Sequence, residues 1–463
     1  MEIHLPAPAN IRYGSGAVHV RVVIVGAGQV GSSIAASLEG DHEVVVVDND
    51  AERVENLTYS LDVLTIEGDG ASLSTLREAG IEAADLLIAS TDDDETNIVA
   101  CATAKTASDA FTVARVKQTN YLDTWQAAGG AFGVDFIVSS NLLAAQTMVR
   151  VIGLPAARDV DVFAEGRVMM AEFGVPEGSP VAGRTVADAD RFTELTFAAL
   201  LRDDDIVIPE GETRIEVGDE LVVIGSPENT RTFAGDLTPG RDEDGRDVVI
   251  VGGSEVAVEV ARLLEDRGLH PRLIERDPAR ARELAERLAD TTVMASDATD
   301  RAFLDREHVG DADVVIAALG SDEKNLLASL LASRIGVART VALVETAEYT
   351  DLFEAVGVGA AVNPRDATAE EIIRFTRDGD TENVAIVDHD RAEVLEIEID
   401  GDSMLAGRPI RESAADLPAR VTIGAITRDG TFVTPRGDTV VEVGDHVVVF
   451  AETDVIDAVA GTI

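Results

Sequence analysis

Two long segments of the chain repeat each other in register, and this duplication limits the possible folds more than any other feature of the sequence. The apolar run 20–25 leads into a glycine turn at Gly26, and the run 247–251 leads into a similar turn at Gly252, 226 residues later. The segments 209–219 and 435–445 both begin with Pro, end in Val-Gly-Asp and lie 226 residues apart. Because both ends of the unit repeat, the chain is a duplication of one two-part unit.

The first part of each unit predicts an α/β fold with a doubly wound, Rossmann-like parallel sheet. Short continuous apolar runs alternate with amphipathic stretches, which is typical of parallel strands covered by helices on both faces. The runs in the first half lie at 22–25, 44–47, 63–66, 86–89, 112–116 and 136–138, with helical stretches such as 31–38, 73–79 and 97–106. The second half follows the same order from 248–251 to 340–344.

The second part of each unit predicts a small α+β lobe, with strands expected at 216–224 and 442–450 beside Gly-Asp turns. We therefore expect four domains and a polar linker at 241–247. They are an N-lobe at 20–141, a C-lobe at 156–238, a second N-lobe at 246–364 and a second C-lobe at 381–463. Residues 1–19 receive no fold; they are either a leader or the product of a wrongly chosen translation start.

Acidic residues outnumber basic ones by 86 to 38, a formal net charge of −48, and they run through every segment. Such a chain repels itself in ordinary salt, whereas at ~1 M salt the Debye length of about 3 Å screens the repulsion. This indicates an organism with molar internal salt and argues against binding to nucleic acid or to anionic lipid. No apolar run approaches the ~20 residues of a membrane span, and no signal peptide is recognisable. The single cysteine, Cys101, lies in an apolar helical stretch and is expected in the core.

The first glycine turn predicts a nucleotide site. A Gly-x-Gly-x-x-Gly pattern follows a strand and opens a helix, so backbone N–H groups can approach a diphosphate. Asp48 ends the second strand, where a carboxylate can bind ribose hydroxyls and disfavour a 2′-phosphate, so NAD is favoured over NADP. The turn consists of Gly26, Ala27, Gly28, Gln29, Val30 and Gly31. The alternative is a glycine turn kept only for packing.

Further candidate residues follow the later strands, whose carboxyl ends border the ligand crevice of an open parallel sheet. Asp69 follows the third strand, Thr91 and Asp92 the fourth, and Arg115 lies in the fifth. Arg115 can neutralise a phosphate, or it can simply pair with a neighbouring acid. The run 91–95 can equally be a solvated helix start, because Thr and Asp cap helices well.

The second half departs from this pattern. Ser254 replaces the second glycine, Ala257 the third, and Leu343 stands in the place of Arg115. Gly252, Glu275 and Asp297 still match Gly26, Asp48 and Asp69. We therefore expect a weaker second site that is degenerate, altered in ligand or purely structural.

These residues together resemble the TrkA family, the regulatory subunits of Trk-type potassium uptake systems, which are built from RCK (regulator of potassium conductance) domains. The resemblance covers nearly the whole chain and includes the glycine motif, Gly68-Asp69-Gly70, the segments 79–85, 91–97 and 274–277, and both Val-Gly-Asp strands. It implies binding of NAD(H), ATP or ADP through 26–30, Asp48, Thr91, Asp92 and Arg115. It also implies a cytoplasmic ring of lobes docked under a membrane-embedded potassium-translocating subunit. The stretches 142–152 and 369–375 resemble the crossover helices that pair subunits in that family, although ordinary core packing is an alternative.

Two other functions remain open at this point. An NAD-dependent oxidoreductase needs a proton-transfer residue near the nicotinamide, and none of the seven histidines ends a predicted strand beside the glycine loop. No metal-ligand spacing and no nucleophile motif appear either, so we expect no enzyme activity and no metal. The other alternative is an RCK regulator of a different cation transporter, which the sequence does not distinguish.

Overall fold

The computed structural model describes residues 20–40, 42–154, 157–202, 205–237, 247–376, 381–387, 391–413, 416–418, 420–456, 459 and 463. The expected leader at 1–19 and nearly all of the expected linker at 241–247 lie outside the described residues. The chain contains two copies of a two-lobed unit, as the duplication predicts.

The first N-lobe is a six-stranded parallel sheet between helices, with strand order β3-β2-β1-β4-β5-β6. Strand β4 is apolar and buried throughout, and so is β1 after its first residue. In β2 the four central residues are apolar and buried; Glu43 at its start is exposed, and Asp48 at its end is polar but buried. The strand order reverses between β1 and β4, and ligands bind at such a point in open α/β sheets. Its elements are β1 Arg21–Val25, α1 Gln29–Leu38, β2 Glu43–Asp48, α2 Ala51–Ser60, β3 Leu64–Glu67, α3 Leu73–Glu78, β4 Leu86–Ala89, α4 Asp94–Ala104, β5 Phe111–Val116, α5 Thr119–Ala127, β6 Phe136–Ser139 and α6 Ser140–Ile152.

The first C-lobe is a five-stranded antiparallel sheet with strand order β10-β9-β11-β8-β7. It comprises β7 Ala157–Phe163, β8 Val168–Gly174, α7 Val186–Ala189, β9 Leu195–Arg202, β10 Asp205–Val207, β11 Glu220–Gly225 and α8 Pro227–Leu237. The strand predicted at 216–224 begins four residues later, because 216–219 form a turn with Gly218 at φ +93°. The Asp219 carboxylate closes that turn by accepting from Glu216 N (2.7 Å) and from Arg202 Nη2 (2.6 Å).

The second N-lobe repeats the first, with strand order β14-β13-β12-β15-β16-β17. All pairings of its six strands are parallel. Its elements are β12 Val248–Val251, α9 Glu255–Asp266, β13 Arg272–Glu275, α10 Pro278–Arg287, β14 Thr292–Ala295, α11 Arg301–Arg306, β15 Val314–Ala317, α12 Asp322–Ile335, β16 Arg339–Leu343, α13 Thr350–Ala355, β17 Ala360–Val362 and α14 Pro364–Thr376.

The second C-lobe is again antiparallel, with strand order β18-β19-β22-β20-β21. It comprises β18 Thr381–Val387, β19 Ala392–Glu398, α15 Ile410–Ser413, β20 Val421–Arg428, β21 Thr431–Val433 and β22 His446–Glu452. The strand predicted at 442–450 begins only at His446. The reason is the same turn as in the first C-lobe, closed here by Asp445, which accepts from Glu442 N (2.8 Å) and Arg428 Nη2 (2.7 Å).

The two helices that leave the N-lobes join the halves of the same chain. Helix α6 packs against α9 of the second N-lobe, and Met148 and Val149 share one core with Val256 and Val260. Helix α14 packs in return against α1 and α6, and Ala369, Ile372 and Ile373 complete the core of the first N-lobe. The crossover stretches expected to pair subunits therefore pair two halves within one chain here.

The two C-lobes also pack on each other through their sheets. Their buried residues form one hydrophobic cluster that includes Phe163, Ile224, Val394 and Phe450. Thr422 Oγ1 donates to Ala198 O across this contact at 3.1 Å. Each half is therefore joined to the other at both of its lobes. No helix among the described residues is both long and apolar enough to cross a membrane.

Candidate functional site

The glycine turn of the first half connects β1 to α1. Gly26 has φ +109°, in the left-handed region, and its N–H donates to Val47 O at 2.8 Å. A Cβ on Gly31 would lie 1.9 Å from Gly26 O, so helix and turn pack too closely for a side chain there. Gly28 precedes α1, and a Cβ added to it would meet only Arg53 Nη1, at 3.6 Å. The turn thus leaves the N-terminus of α1 accessible to an anionic group.

Asp48 lies at the end of β2 and is 8% exposed. Its carboxylate accepts from Ala27 N at 2.6 Å and from Asp50 N at 2.8 Å. These two bonds fix the carboxylate beside the glycine turn. Each carboxylate oxygen can accept a further hydrogen bond, so Asp48 still has the capacity to bind a hydroxyl group.

A cleft of about 430 Å³ opens at the carboxyl end of the first sheet, above the point where the strand order reverses. Nine of the predicted site residues line it: Gly26, Gly28, Gln29, Val30, Asp48, Asp69, Thr91, Asp92 and Arg115. The other two, Ala27 and Gly31, do not line it; Ala27 holds Asp48, and Gly31 packs against the turn. The structure therefore brings residues from five separate strand ends and one helix start into one cleft.

Arg115 is nearly fully buried at the wall of the cleft, with 3% of the residue exposed. Its Nε donates to Ser140 Oγ at 2.8 Å, and its Nη1 lies 3.4 Å from both Thr91 O and Asp92 Oδ1. Burial lowers the pKa of Arg115, while the charge of Asp92 opposes that shift. Arg115 therefore pairs with a neighbouring acid at the cleft, while its role in neutralising a phosphate stays a prediction.

Asp92 lies among three cations. Its Oδ1 is 3.0 Å from Lys117 Nζ, 3.4 Å from Arg115 Nη1 and 3.8 Å from Arg365 Nη2. Partial burial raises the pKa of Asp92, but the hydrogen bond from Lys117 and the three positive charges outweigh it, so the net shift is downward. We call Arg115, Lys117 and Arg365 the cationic edge of the cleft. Four carboxylates also line this cleft, those of Asp48, Asp69, Asp92 and Asp93.

Three cations near the cleft were not among the residues predicted from the sequence: Arg53, Lys117 and Arg365. Arg53 lies in the first turn of α2 and lines the cleft beside Gly28. Lys117 directly follows β5, so its position at a strand end was a recognisable signal. Arg365 belongs to α14 in the second half, and no local pattern connects it with a cleft in the first half.

The segment 91–97 divides into structural residues and residues that line the cleft. Asp93 caps α4 by accepting from Thr96 N at 2.7 Å, and Asn97 Nδ2 donates to Arg115 O at 2.8 Å. In the second half Asn325 Nδ2 donates to Leu343 O at the same 2.8 Å. Asn97 and Asn325 therefore have the same structural role in the two halves. Thr91, Asp92, Asp93 and Thr96 line the cleft.

In the second half, side chains of the chain itself cover the corresponding glycine turn. Arg280 lies across the turn: its Nε donates to Gly253 O at 3.0 Å and its Nη2 to Glu255 Oε1 at 2.7 Å. Arg287 donates to Glu255 Oε2 at 2.9 Å, and a Cβ on Gly253 would lie 2.8 Å from Glu275 Oε2. The hydrogen bond from Arg287 is the largest of the effects that lower the pKa of Glu255 to about 2.

Two further differences separate this second site from the first. The Ser254 hydroxyl accepts from Ala257 N at 3.2 Å, and Leu343 replaces the buried cation. Asp297 resembles Asp69 in accepting from the backbone two residues on, here from Thr299 N at 2.8 Å as Asp69 accepts from Ala71 N at 2.9 Å, and it also accepts from Thr299 Oγ1 at 2.7 Å. The residue equivalent to Glu255 in the first half is Gln29, which carries no charge to hold Arg53 in the same way.

Within the described residues, no group of three or more His, Cys, Asp or Glu could hold a metal ion.

A parallel sheet of this order, with a glycine turn, a buried acid and a cation at the strand-order reversal, defines a Rossmann-type nucleotide-binding protein. It is duplicated here, with an antiparallel lobe after each copy. The TrkA-N domain family matches residues 22–140 and 248–364, and the TrkA-C domain family matches 170–237 and 394–462. The chain belongs to the TrkA family of Trk potassium uptake proteins, which confirms the resemblance and the fold class expected from the sequence.

Two relatives match over nearly their whole length. The Trk system potassium uptake protein TrkA homolog 1 of Methanosarcina mazei is 34% identical over 93% of this chain and 97% of that protein. The TrkA homolog of Archaeoglobus fulgidus is 35% identical over 95% of this chain and 99% of that protein. Among solved structures, the GsuK channel bound to NAD aligns with a TM-score of 0.56 and 18% identity, covering 98% of this chain and 81% of that one. That similarity shows the shared fold.

Proposed function

We propose that this chain is the nucleotide-sensing regulatory subunit of a Trk-type potassium uptake system. In this proposal the first-half cleft binds NAD(H), ADP or ATP, and binding changes the conformation of a ring of lobes attached to a membrane-embedded potassium-translocating subunit. The cleft carries the proposal, because it combines an open glycine turn, a fixed Asp48 and the cations Arg115 and Arg365. A nucleotide that binds one ring conformation better than another shifts the equilibrium between the two conformations toward the one it prefers. The size of that shift, which the attached pore follows, is set by the difference in binding free energy.

NAD is the first ligand to test. The Asp48 carboxylate beside the turn suits ribose hydroxyls and repels a 2′-phosphate, and a solved neighbour of the same fold is a channel bound to NAD. ADP and ATP fit the same phosphate-binding elements, and the cationic edge at Arg115 and Lys117 suits a terminal phosphate.

We also propose that the chain catalyses no reaction. Among the described residues that line the first-half cleft there is no His, Cys or Tyr, side chains that often transfer protons to or from a substrate. Lys117, at the edge of the cleft, is paired with Asp92. Carboxylates that line it are fixed by backbone groups or paired with cations, as for Asp48 and Asp92. This arrangement suits reversible binding, so an oxidoreductase is the less well supported function.

Assembly into a ring is supported by exposed apolar side chains at equivalent positions of the two N-lobes. Val99 on α4 is 48% exposed and Leu327 on α12 is 57% exposed. Asn97 and Asn325, two residues before them, make matching bonds, so the two side chains occupy corresponding places. Burying these two side chains in a contact between chains would remove apolar surface from water, so they are candidates for such a contact.

Calorimetric titration tests the proposal directly. NADH, NAD⁺, ADP and ATP are titrated into the wild type, Arg115→Ala and the control Arg77→Gln, in KCl at ~1 M so that the acidic chain is screened. Arg77 is an exposed arginine of the same lobe, paired with Glu82 and outside the cleft. We expect saturable binding by the wild type and the control, and a loss of about tenfold or more in Arg115→Ala, the size of one charge-assisted hydrogen bond.

The assay mixtures are also tested for chemical change of the nucleotide by chromatography. Unchanged nucleotide after prolonged incubation with candidate substrates is the expected result. Turnover that Arg115→Ala abolishes would indicate an enzyme instead. Absence of binding by the folded wild type for all four nucleotides would leave the glycine turn with a packing role only and would refute the proposal.

A further inference from the structure

The first-half cleft receives one side chain from the second half of the chain. Arg365 follows Pro364 in the first turn of α14 and lines the cleft together with Gly26, Asp92 and Arg115. Its Nη2 lies 3.8 Å from Asp92 Oδ1. Its Nη1 donates to Glu345 O at 3.0 Å and to Gln29 Oε1 at 3.3 Å. The guanidinium is therefore held at the rim by neutral oxygens, and its charge is directed toward Asp92.

The first turn of α14 is also bonded to the first turn of α1. Gln29 is the first residue of α1 and follows the glycine turn directly. Its side-chain amide donates to Asp366 Oδ1 at 3.2 Å and accepts from Arg365 at 3.3 Å. The first turn of α1, next to the glycine turn, and the helix that carries Arg365 are thus connected by two hydrogen bonds.

A second connection runs through buried hydroxyl groups one turn further along α14. Thr368 Oγ1 is hydrogen-bonded to Ser140 Oγ at 2.9 Å, and Ser140 Oγ accepts from Arg115 Nε at 2.8 Å. All three residues are buried. Both arginines of the cleft edge are therefore connected to α14: Arg365 is a residue of that helix, and Arg115 is linked to Thr368 through Ser140.

The charges at this edge favour an anion larger than one carboxylate. Three cations lie within 3.8 Å of the Asp92 carboxylate, whose side chain is half exposed, so they share this one carboxylate at the cleft. A phosphate group offers more oxygens and more negative charge, and guanidinium groups bind it in two-pronged fashion. A phosphate entering the cleft can replace Asp92 as the partner of both arginines.

We infer that Arg365 is a phosphate-binding residue that the second half contributes to the nucleotide site of the first half. This inference rests on the function proposed above and specifies which ligand group is recognised: a phosphate of a nucleoside diphosphate, triphosphate or dinucleotide. Without a bound phosphate, the Asp92 carboxylate is the anionic partner of Arg115 and Arg365. Because α14 completes the core of the first N-lobe and leads into β18, binding fixes the start of the helix that connects to the second C-lobe.

The test compares ADP with adenosine, which lacks phosphate, by calorimetry in KCl at ~1 M. Arg365→Gln is expected to weaken ADP binding by about tenfold or more, the size of one charge-assisted hydrogen bond. Adenosine binding is expected to be the same in the variant and the wild type. The control Arg77→Gln is expected to bind ADP as the wild type does. Arg365→Lys keeps the charge and is expected to recover part of the ADP affinity, so it also serves if Arg365→Gln folds poorly.

Asp92→Asn provides the second readout. Removing the carboxylate frees the arginines, so ADP affinity is expected to rise in the Asp92→Asn variant. In the double variant with Arg365→Gln the rise is expected to be smaller, because the two positions share one interaction. Hydrogen exchange of 364–376 is expected to slow when ADP binds the wild type and to change less in Arg365→Gln.

Two outcomes separate this inference from the proposed function. ADP binding that is sensitive to Arg115→Ala but equal in wild type and Arg365→Gln overturns the role of Arg365 alone. That role is equally overturned if Arg365→Gln lowers the melting temperature of the ligand-free protein and leaves ADP affinity unchanged. If the folded wild type binds no nucleotide at all, both the function and this inference are wrong.

Discussion

Gly28 and Gly31, three residues apart in the same turn, meet different physical constraints. An added Cβ on Gly31 would lie 1.9 Å from Gly26 O, a backbone atom that cannot move without opening the turn. An added Cβ on Gly28 would meet only the end of the Arg53 side chain, at 3.6 Å. Gly31 is thus required by packing, while Gly28 leaves space for a ligand to approach.

This contrast predicts the effects of two matched substitutions. Gly31→Ala is expected to lower the free energy of unfolding by about 1–3 kcal/mol, the typical cost of overpacking. Gly28→Ala, the control, is expected to change stability much less and to weaken nucleotide binding instead. Denaturant unfolding of both variants in high KCl measures the first effect. Equal stability of Gly31→Ala and wild type would contradict the close packing of turn and helix.

The only cysteine of the sequence is protected by the fold. Cys101 lies on α4 and is fully buried, and burial raises the pKa of its thiol well above the ordinary value. We expect iodoacetamide at mildly alkaline pH to leave the folded protein unmodified and to label Cys101 after unfolding, as mass spectrometry would show. Labelling of the native protein at the rate of a free thiol would place Cys101 at the surface.

The raised pKa of Cys101 also predicts a pH dependence of stability. The folded thiol stays protonated while the unfolded thiol ionises near its ordinary pKa of about 8.5. Unfolding therefore releases a proton above that pH, and the free energy of unfolding falls as the pH rises further. Cys101→Ala lacks this contribution, so its decline above that pH should be shallower than that of the wild type in denaturant unfolding. Parallel declines would contradict this assignment.

At the scale of helices and strands, apolar runs and glycine turns were sufficient to predict the sheets, because they reflect local backbone preference and burial. The C-lobe strands start later than expected, since Asp219 and Asp445 each close a turn with an arginine distant in sequence. Arg365 was missed because it reaches the first cleft only through the packing of α14 on α1. Contacts that join distant segments leave no periodic pattern in the sequence, so this part of the cationic edge could not be predicted.

The cluster on α9 and α10 gives a prediction at this scale. Glu255 has a pKa of about 2 because Arg287 and Arg280 bind its carboxylate, and together they outweigh the opposing effect of partial burial. A depressed pKa contributes stability above the ordinary glutamate pKa of about 4.3, and that contribution is lost as the pH falls toward about 2. We expect Glu255→Gln to melt at a lower temperature than wild type at neutral pH and the gap to narrow as the pH falls below that ordinary value.

Glu286 is an exposed glutamate on α10, the helix that carries Arg280 and Arg287. Glu286→Gln is the control and is expected to show little change in melting temperature at neutral or acidic pH. If the difference in melting temperature between Glu255→Gln and the wild type does not depend on pH, the charge of the carboxylate contributes nothing to stability. Thermal unfolding followed by circular dichroism at a fixed KCl concentration measures both variants.

For the whole molecule, the equivalent exposed residues Val99 and Leu327 predict how chains associate. Replacing both with Asp places charge in an apolar contact, so we expect the double variant to form smaller assemblies than the wild type in light scattering after gel filtration. Tyr59→Asp, an exposed apolar residue elsewhere on the first N-lobe, is the control and should assemble normally. Unchanged assembly of the Val99→Asp, Leu327→Asp variant would place the contact on other surfaces.

Two features of the fold bear on how many nucleotides one chain can bind. The halves exchange helices α6 and α14, and the glycine turn of the second half is covered. Each N-lobe core is completed by a helix from the other half of the same chain, so neither half buries its core alone. Arg280, Arg287 and Glu255 occupy one turn, while the other is open. Under the proposed function, an assembly built from such chains is expected to bind one nucleotide per chain, half the number of its Rossmann sheets, and its saturation curve should report that smaller number of sites.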